Sequence, residues 1–468
     1  MMETRKISSL PPVQAVIVTW NKKKDVIRLL ECLKNIDYPK DRLFLLVVDN
    51  ASTDGTAETL ASEYPQVELL RNPENLGGAG GFNAGMRRTL ENRPEAEYLW
   101  LLDNDVIPET NALKSLVSVM EKHPHAALCG SRIMDTDNPR EMIEAGAFID
   151  YRIGDVIRHM PSPEERKNPH AVFRVDYAAA CSLLARSSAV RKMGVWHEKF
   201  FIYWDDMEWG ARFTAAGYEV LAANASVVFH PSWIGRTSDH SAVWRSYYRT
   251  RNALCFFSHY HRGWQKRLLL CRMIFRYMGI ALDAYTRAAS ELAKAFEQGI
   301  RDFFRSSYGK KTFAPLPRLA QKNPKGIMIF PYPESSDTAL FQVRRLKKIF
   351  PEAAIWAVIP AEEQAKWQHL FPPETLHLFR QKGKGKISRR EKLRIMNFLR
   401  KKSWDLLICF ATVPRMGAIW GKETARMDAE SGQLLALGKN ECKEVFRIPF
   451  VTVFYMLHAL LLPPKKNL

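Results

Sequence analysis

Paired cysteines, long apolar runs and acidic residues are all scarce in this 468-residue sequence. Its seven cysteines stand singly without a C-x-x-C pair, which is typical of a reducing compartment and excludes a disulfide framework or a zinc site of the usual spacing. Nowhere does the sequence hold the run of about eighteen uncharged apolar residues that a membrane-spanning helix needs. The basic N-terminus leads into an apolar stretch after Pro11 and Pro12 that has only the length of a strand, so no signal peptide is expected. We therefore expect a protein that is soluble or lies on a surface.

Acidic residues are outnumbered, because 69 Lys and Arg face 50 Asp and Glu and give a formal net charge of +19. Since 46% of the residues are hydrophobic and 25% are charged, this charge belongs to a folded surface and not to a disordered chain. Much of it lies in residues 241–311, where fourteen Lys or Arg stand against four Asp or Glu. The excess requires a negative partner, and nucleic acid, an anionic membrane surface and phosphorylated small molecules all meet that requirement.

Length and patterning predict an α/β protein of several domains. In the first 130 residues short apolar runs alternate with amphipathic stretches, which indicates a doubly wound, mostly parallel sheet. The expected strands cover 15–20, 43–49, 67–71, 98–103, 126–130 and 218–229, and the expected helices cover 23–35, 55–63, 80–91, 109–122 and 207–216. The predicted divisions are a domain over 1–240, a helical basic region over 241–313, a linker over 314–326 and a smaller Rossmann-like α/β domain over 327–468. The apolar tail from residue 448 either closes the fold or seeks a surface.

Polar side chains cluster where the first strands end. Asp49 and Asn50 follow the second strand, the segment from Arg71 to Gly81 follows the third, and Asp103 and Asp105 follow the fourth. Ligands of doubly wound sheets bind beyond the carboxyl ends of the strands. The sequence therefore predicts a binding site at this edge of the sheet.

The stretch LLDNDVIP places two carboxylates, Asp103 and Asp105, just beyond a strand. Side chains at i and i+2 point to the same side when the chain turns between them, and can then hold a divalent cation with positions left free for phosphate. The alternative is an ordinary turn, since Asp and Asn favour turns. His230, which follows a later strand in VVFHPSW, either adds a ligand or simply packs.

Two further stretches carry candidate functions. In NPENLGGAGGFNAGM (72–86), glycines let the backbone pass close to a ligand and open a helix whose N-terminal N–H groups favour an anion, unless the stretch is only a flexible loop. In IYWDDMEWG, Asp205 and Asp206 stand between aromatic residues, which raise the pKa of a carboxyl and so suit a general base. The alternative for this pair is a helix N-terminus, where the helix dipole favours acids.

Taken in order, the motifs VIVTWN, VVDNASTDGT, NLGGAGGFNAG, LLDNDVIP, WDDMEWG, FHPSW and YYRTRN resemble those of the family-2 inverting glycosyltransferases with the GT-A fold. The resemblance is closest to the galactofuranosyl- and rhamnosyltransferase branch that builds bacterial surface polysaccharides, and it covers roughly residues 12–260. It implies transfer of galactofuranose or rhamnose from a nucleotide diphosphate sugar to a hydroxyl of a lipid-linked or cell-surface glycan.

The resemblance also implies a role for each motif. Asp206 would deprotonate the acceptor with Asp205 beside it, and Asp103, Asp105 and His230 would hold Mg²⁺ or Mn²⁺ on the diphosphate. Relatives often have a third Asp where this sequence has Asn104, a change that leaves the outer pair intact. The residues expected to bind the nucleotide sugar are Thr19, Asp49, Arg71, Asn75, Gly77, Gly78, Asp103 and Trp204.

Two other functions stay open. A nucleotidyltransferase acting on sugar phosphates also uses a metal on a nucleotide, although WDD and FHPSW count against it. A non-enzymatic protein that binds nucleic acid or another polyanion would use the basic, aromatic-rich region, but it leaves the paired acids unexplained. We expect no nucleic-acid partner, and instead a cytoplasmic enzyme that is peripheral on the inner face of the plasma membrane, held there by anionic lipid near its acceptor.

Overall fold

The computed structural model describes residues 10–231, 240–260, 263–286, 290–313 and 324–330, and beyond them shorter stretches between 343 and 461. Its N-terminal part is built from twelve strands, of which ten form one sheet and β8 with β9 form a separate hairpin. The strands are β1 (Val13–Thr19), β2 (Leu43–Asp49), β3 (Glu68–Arg71), β4 (Tyr98–Asp103), β5 (Ile107–Pro108), β6 (Ala126–Asp135), β7 (Met142–Glu144), β8 (Ala147–Asp150), β9 (Asp155–Arg158), β10 (Val172–Arg174), β11 (Ser182–Arg186) and β12 (Glu219–His230).

The large sheet is mostly parallel in its core. Its order is β10-β12-β6-β11-β4-β1-β2-β3, with β5 beside β12 and β7 beside β6. β1 pairs in parallel with both β2 and β4, β2 with β3, and β12 with β6, while β11 runs antiparallel between β4 and β6. The predicted doubly wound α/β sheet is confirmed, and the carboxyl ends of its first strands meet at one edge.

This part of the chain also contains seven α-helices. They are α1 (Lys23–Lys34), α2 (Thr56–Glu63), α3 (Gly77–Asn92), α4 (Ala112–Lys122), α5 (Pro163–Lys167), α6 (Ser187–Met193) and α7 (Asp205–Ala215). Apolar spacing explains how they pack: α1 buries Val26, Leu29, Leu30 and Leu33, which recur at i, i+3, i+4 and i+7 and so form one stripe. The buried side chains form one apolar cluster on each face of the sheet.

Most predicted elements lie within a few residues of their observed positions. β2 and β4 have the predicted bounds, because each is a continuous apolar run that ends at an aspartate. α3 starts at Gly77, three residues before its predicted start at 80. Glycine has a low helix propensity, but Asn75 Oδ1 accepts the N–H of Gly77 at 2.8 Å and so fixes the first turn.

A helical region follows the N-terminal domain, as predicted. It contains α8 (His240–Tyr260), α9 (Gly263–Thr286) and α10 (Ser290–Phe304). These helices share an apolar cluster with the last described helix of the chain, which spans Glu441–Leu461. Arg447 of that last helix also forms an ion pair with Glu297 of α10. The apolar tail, predicted either to close the fold or to seek a surface, therefore begins within a helix that packs on the basic region.

A second, smaller α/β sheet lies between α10 and the last helix. Among the described residues after α10, the strands and α-helices are β13 (Gly326–Phe330), β14 (Ala354–Pro360), α11 (Gln364–Trp367), β15 (Leu376–Phe379), β16 (Gln381–Lys382), β17 (Lys386–Ile387), β18 (Trp404–Cys409), β19 (Gly421–Met427), β20 (Leu434–Leu437) and α12 (Glu441–Leu461). The order of the sheet is β15-β14-β13-β18-β19-β20, and every neighbouring pair is parallel except β19 with β20. Most of the predicted linker, residues 314–323, lies outside the described residues, and the domain boundaries stay predictions.

Candidate active site

Four strand ends form one row at the carboxyl edge of the large sheet. In the parallel pairing Thr19 of β1 is opposite Asp49 of β2, and Asp49 is opposite Arg71 of β3. On the other side of β1, Val18 is opposite Asp103 of β4. The fold thus brings together the strand ends that the sequence pointed to as a binding edge.

Two of the predicted nucleotide-binding side chains already have protein partners. The buried carboxylate of Asp49 accepts the N–H of Ser52 at 3.2 and 3.3 Å, and so orders the turn after β2. The exposed guanidinium of Arg71 forms an ion pair with Glu58 at 3.2 Å. Their predicted contacts with a nucleotide stay predictions.

Pairing between β5 and β12 brings His230 to Asp103, the last residue of β4, and to Asp105, which follows it. Phe229 is opposite Ile107, only two residues beyond Asp105. Nε2 of His230 lies 3.2 Å from Oδ1 of Asp105 and 3.7 Å from Oδ2 of Asp103. One ligand atom from each of these three residues lies within 4.8 Å of the others, which is close enough for all three to contact one cation.

The residue between the two acids points elsewhere. Nδ2 of Asn104 donates to Oγ1 of Thr19 at 3.0 Å and so joins the ends of β4 and β1. The chain therefore turns between Asp103 and Asp105, which leaves their carboxylates on the same side, beside His230. A turn and a group of three side chains that could hold a cation occur together here, so the two alternatives raised by the sequence are compatible.

Electrostatics and hydrogen bonding fit these three residues to a divalent cation. Nδ1 of His230 lies 3.0 Å from the carbonyl oxygen of Pro231, which accepts a hydrogen bond from the Nδ1–H group, and Nε2 is directed at the acids. Burial opposes protonation of His230, but hydrogen bonds and charge from Asp103 and Asp105 outweigh it and raise its pKa to about 10. Burial favours the neutral form of Asp105, yet the hydrogen bond and charge of His230 lower its pKa. Two carboxylate oxygens and one imidazole nitrogen suit Mn²⁺ or Mg²⁺.

The glycine-rich segment lies against the loop that leads into the second acidic pair. The N–H of Ala79 donates to the carbonyl of Phe201 at 3.1 Å. Gly77 has a φ of +73°, and a Cβ there would come within 2.2 Å of the Phe201 oxygen, so only glycine fits. A Cβ at Gly78 would lie 3.7 Å from Oδ2 of Asp205. Two motifs that are far apart in the sequence therefore meet at one place.

Asp205 and Asp206 begin α7, the helix N-terminus that was the alternative for this pair. Asp206 accepts backbone N–H groups of Met207 at 2.8 Å and Ala180 at 3.3 Å. Burial raises the pKa of Asp206 to about 6, an effect that these donors oppose and the charge of Asp103 reinforces. Burial and the charge of Asp206 raise the pKa of Asp205 well above its usual range. A carboxyl whose pKa lies near neutrality is suited to accept a proton.

Glu144 is a buried acid of the site that the motifs did not indicate. It ends β7, and the hydroxyl of Tyr177 donates to its Oε1 at 3.2 Å. Burial and the charge of Asp206 raise the pKa of Glu144 to about 7, while Tyr177, Arg158 and His230 act in the opposite direction. Glu144 thus shares one electrostatic field with the second acidic pair and the three-residue cluster. The only sign of it in the sequence was a single acid inside the apolar stretch MIEAGAF.

Asn252 of α8, from the motif YYRTRN, holds the loop that leads into Asp205. Its buried amide nitrogen carries two hydrogens and faces three loop carbonyls, so at least one hydrogen is shared. The neighbouring Arg251, also buried, donates to two carbonyls of the same loop region. The carbonyl oxygens that Nδ2 of Asn252 contacts are those of Phe200 at 2.9 Å, Ile202 at 2.8 Å and Tyr203 at 2.9 Å.

The loop needs this support because three of its non-glycine residues are left-handed. Phe201, Tyr203 and Trp204 have φ values of +66°, +64° and +70°. The indole of Trp204 is buried, with its ring centroid 5.2 Å from that of Phe256 and 5.3 Å from that of Phe257 on α8. Its predicted contact with the nucleotide sugar stays a prediction, while its observed packing anchors the loop to α8.

Comparison with known proteins covers the same part of the chain. Residues 14–191 match the model of a family described as Glycosyl transferase family 2. An N-acetylglucosaminyl-diphospho-decaprenol L-rhamnosyltransferase of Mycobacterium tuberculosis is 25% identical over 240 residues, which are 47% of this chain and 76% of that protein. Galactofuranosyltransferase GlfT1 of Mycolicibacterium smegmatis is 28% identical over 224 residues, 47% of this chain and 70% of that protein.

Two more similarities are weaker. Galactofuranosyltransferase GlfT2 of Mycolicibacterium smegmatis is 23% identical over 260 residues, so this chain matches 51% of its own length and 39% of that protein. Among solved structures, a mannosyltransferase from Pyrobaculum calidifontis in complex with GDP-Man and Mn²⁺ has 17% identity and a TM-score of 0.39, over 63% of this chain and 75% of that one. The family match and the two curated enzyme classes agree with the resemblance drawn from the motifs.

Proposed function

Because residues 14–191 match the model of the family described as Glycosyl transferase family 2, we propose that this protein is a metal-dependent, inverting glycosyltransferase. It takes a sugar, galactofuranose or rhamnose, from a nucleotide diphosphate donor and transfers it to a hydroxyl of a lipid-linked or cell-surface glycan. The names of the rhamnosyltransferase and galactofuranosyltransferase relatives support these two sugars. The decaprenol in the name of the rhamnosyltransferase supports a lipid-linked acceptor.

One observation carries the proposal: the cluster of Asp103, Asp105 and His230 lies within electrostatic reach of a carboxyl with a pKa of about 6. The cluster provides ligands for a cation that binds a diphosphate, and Asp206 provides the group that accepts a proton. A glycosyl transfer that inverts the anomeric carbon needs both groups in one site, because the leaving group gains negative charge while the attacking hydroxyl loses its proton.

The residues of the chain divide this work between them. Asp206 takes the proton of the acceptor hydroxyl as its oxygen attacks the anomeric carbon, and the bond from that carbon to the diphosphate oxygen breaks with its electron pair on the diphosphate. Asp103, Asp105 and His230 would hold Mg²⁺ or Mn²⁺, which when bound neutralises charge on the leaving diphosphate. Gly77 and Gly78 let the backbone of α3 approach the donor beside Asp205.

The charge of the chain supports the remaining part of the proposal, a peripheral position on the cytoplasmic face of the plasma membrane. The surplus of ten positive charges in residues 241–311 favours contact with anionic lipid, where each basic residue near the surface contributes on the order of 1 kcal/mol. A site held at the membrane is close to a lipid-linked acceptor.

The test is release of nucleoside diphosphate by the purified protein, supplied with Mn²⁺ or Mg²⁺ and an extract of lipid-linked glycans. UDP-galactofuranose, dTDP-rhamnose and common UDP-hexoses are offered in separate reactions. We expect release from one donor, and we expect EDTA and Asp105→Ala each to abolish it. Asp41→Asn is the matched control, because this exposed aspartate lies outside the site and should keep full turnover.

The product separates the alternatives. Pyrophosphate in place of nucleoside diphosphate would identify a nucleotidyltransferase and overturn the proposal. A folded protein that neither binds nor turns over any donor, but binds RNA or DNA with a steep salt dependence, would overturn it in favour of polyanion binding. Full turnover by Asp206→Asn would show that another group takes the proton.

A further inference from the structure

The last helix, α12, is apolar on two opposite faces. Ile448, Tyr455 and Ala459 are buried, lie on one face of the helix and pack against the helical region. The opposite face presents Phe450, Val453, Phe454, Leu457 and Leu460, and the first and third of these are 79% and 62% exposed. A helix at an ordinary aqueous surface has a polar outer face, so this outer face is built to be covered.

A second apolar stripe lies on α9, the helix that α12 packs against. Trp264 is 70% exposed and Phe275 is 65% exposed, with Leu268 between them in the sequence. At about 100° per residue, Phe275 and Leu268 lie about 20° and 40° around the helix from Trp264, so the three form one stripe. Cys271 marks the side that contacts α12, because its Sγ donates to the carbonyl of Met456 at 3.5 Å.

The β8–β9 hairpin borders this stripe on its other side. Arg276 of α9 donates to the carbonyls of Ile153 at 3.2 Å and Gly154 at 2.7 Å, at the tip of the hairpin. Measured from Trp264, Cys271 lies at about 340° and Arg276 at about 120°, so the exposed stripe occupies the arc between α12 and the hairpin. Ile153 is itself half exposed. The outer face of α12, the stripe of α9 and the hairpin tip therefore form one continuous surface, named here the apolar platform.

The same hairpin leads directly to the acids of the candidate site. At its base Ala147 bridges to Tyr177, whose hydroxyl donates to Glu144. Glu144 in turn feels the charge of Asp206. The hairpin thus has its tip in the apolar platform and its base beside Tyr177 and Glu144, close to the proposed catalytic base.

We propose that the apolar platform docks the protein onto an anionic lipid bilayer, with the outer face of α12 inserted among the headgroups. The proposal rests on the proposed function, because it places the site beside a lipid-linked acceptor. Charge selects this occupant: measured from Trp264, exposed Arg272 lies at about 80° beside the stripe on α9, and exposed Arg267 lies at about 300°, just beyond Cys271 on the other side. A second copy of the chain would bring these positive charges together, whereas anionic lipid complements them.

Docking of this kind lies on the bilayer and does not cross it. Among the described residues, no helix combines the length and the apolar character that a membrane crossing requires. Pro449 interrupts the first half of α12, and Arg447 is engaged with Glu297 of α10. The platform therefore works as a shallow, reversible anchor.

The experiment is co-sedimentation of the full chain with phosphatidylcholine vesicles, with and without phosphatidylglycerol. We expect binding to the anionic vesicles, weaker binding to the neutral ones, and at least about a tenfold loss of binding in F450S/F454S. R267Q/R272Q should lose the preference for anionic vesicles. The controls are Trp20→Ser, which removes an exposed aromatic ring of the N-terminal domain, and K122Q/K167Q, which removes two exposed charges of that domain. Both controls should bind as the unmodified chain does.

Other readouts keep the result unambiguous. If F450S/F454S fails to fold, Val453→Ser takes its place. This single substitution removes less apolar surface, so we expect a smaller loss of vesicle binding. Unchanged vesicle binding by F450S/F454S would overturn the proposal. So would sedimentation velocity that shows a dimer for the unmodified chain and a monomer for this variant. Donor-dependent nucleotide release is measured separately, in detergent and without vesicles. A chain that binds vesicles but releases nothing from any donor refutes the proposed function, whereas one that releases nucleotide but ignores vesicles refutes only the docking.

Discussion

Replacing Asn252 tests whether the loop before Asp205 is held from outside the N-terminal domain. Asn252→Leu keeps the branching and the number of heavy atoms of the side chain and removes the amide that faces three carbonyls. The two amide hydrogens, and the hydrogen bond that Oδ1 accepts from Nε of Arg251 at 2.9 Å, make three hydrogen bonds of roughly 1 kcal/mol each, so the free energy of unfolding should fall by about 3 kcal/mol. For a domain of this size that is a fall in the melting temperature of about 6–12 °C.

The effect on turnover should be larger than this loss of stability suggests. Each left-handed non-glycine residue of the loop costs about 1–2 kcal/mol, so a released loop relaxes and moves the two acids. A displacement of about 1 Å at a reacting group costs on the order of a hundredfold in rate, and we expect a loss of at least that size in nucleoside diphosphate release. Mn²⁺ binding should stay near normal, because Asp103, Asp105 and His230 belong to other elements.

The matched control lies two residues away on the same helix. Thr250 is fully buried, and its hydroxyl has no hydrogen-bond partner among the described residues. Thr250→Val should therefore be neutral or slightly stabilising, with normal turnover. Equal losses in Thr250→Val and Asn252→Leu would show only that this helix tolerates no change. Normal turnover by Asn252→Leu, measured below its melting temperature, would refute the reasoning.

Three further predictions follow from charge and from backbone geometry. Because burial raises the pKa of Asp206 to about 6 from an ordinary value of about 3.9, ionised Asp206 destabilises the fold by up to about 3 kcal/mol above pH 6, and this cost vanishes below about pH 4. Asp206→Asn should abolish transfer yet raise the melting temperature at neutral pH in EDTA, and an equal rise at about pH 4 would contradict this explanation. Because His230 without metal has a pKa of about 10, a cation must displace its proton to bind. Calorimetry should therefore show the apparent Mn²⁺ affinity rising about tenfold per pH unit between about pH 6 and 9. An affinity that does not change with pH would contradict this prediction, and His230→Gln should remove the pH dependence. Gly77→Ala should cost about 2–4 kcal/mol in thermal unfolding and abolish donor binding, because it adds a clash with Phe201 to left-handed strain. Gly217→Ala has a similar φ but no atom within 4 Å, so it should cost only about 1–2 kcal/mol, and equal costs would mean that the clash does not matter.

Local patterns predicted the strand ends well, because a buried strand that stops at an aspartate is marked both by its apolar run and by the acid that ends it. Asp103, Asp105 and His230 could be singled out for the same reason, since each follows an apolar strand. The structure adds the pairing of β5 with β12 that brings the histidine to the acids. No local pattern specifies that pairing.

Residues that act through long-range contacts could not be predicted in this way. In the sequence, Asn252 is a single asparagine among aromatic and basic residues, and nothing nearby distinguishes it. Only the fold shows that it faces a loop some fifty residues earlier. Glu144 is a single acid in an apolar strand, and its character depends on burial beside Asp206. Trp204 looked like a ligand-facing aromatic residue, but its packing against Phe256 and Phe257 depends on a helix that comes later in the chain.

The contact between Asn252 and the loop also limits how this protein can be recombined with its relatives. A chimera that exchanges residues 10–240 would pair one protein's acid-bearing loop with another protein's α8, and would keep the loop geometry only where the incoming helix offers the same amide. The unit that can be exchanged intact ends after α8 and not at the end of the sheet. Divergence in the helical region can therefore alter the geometry of the second acidic pair at a distance, without any change in the acids themselves.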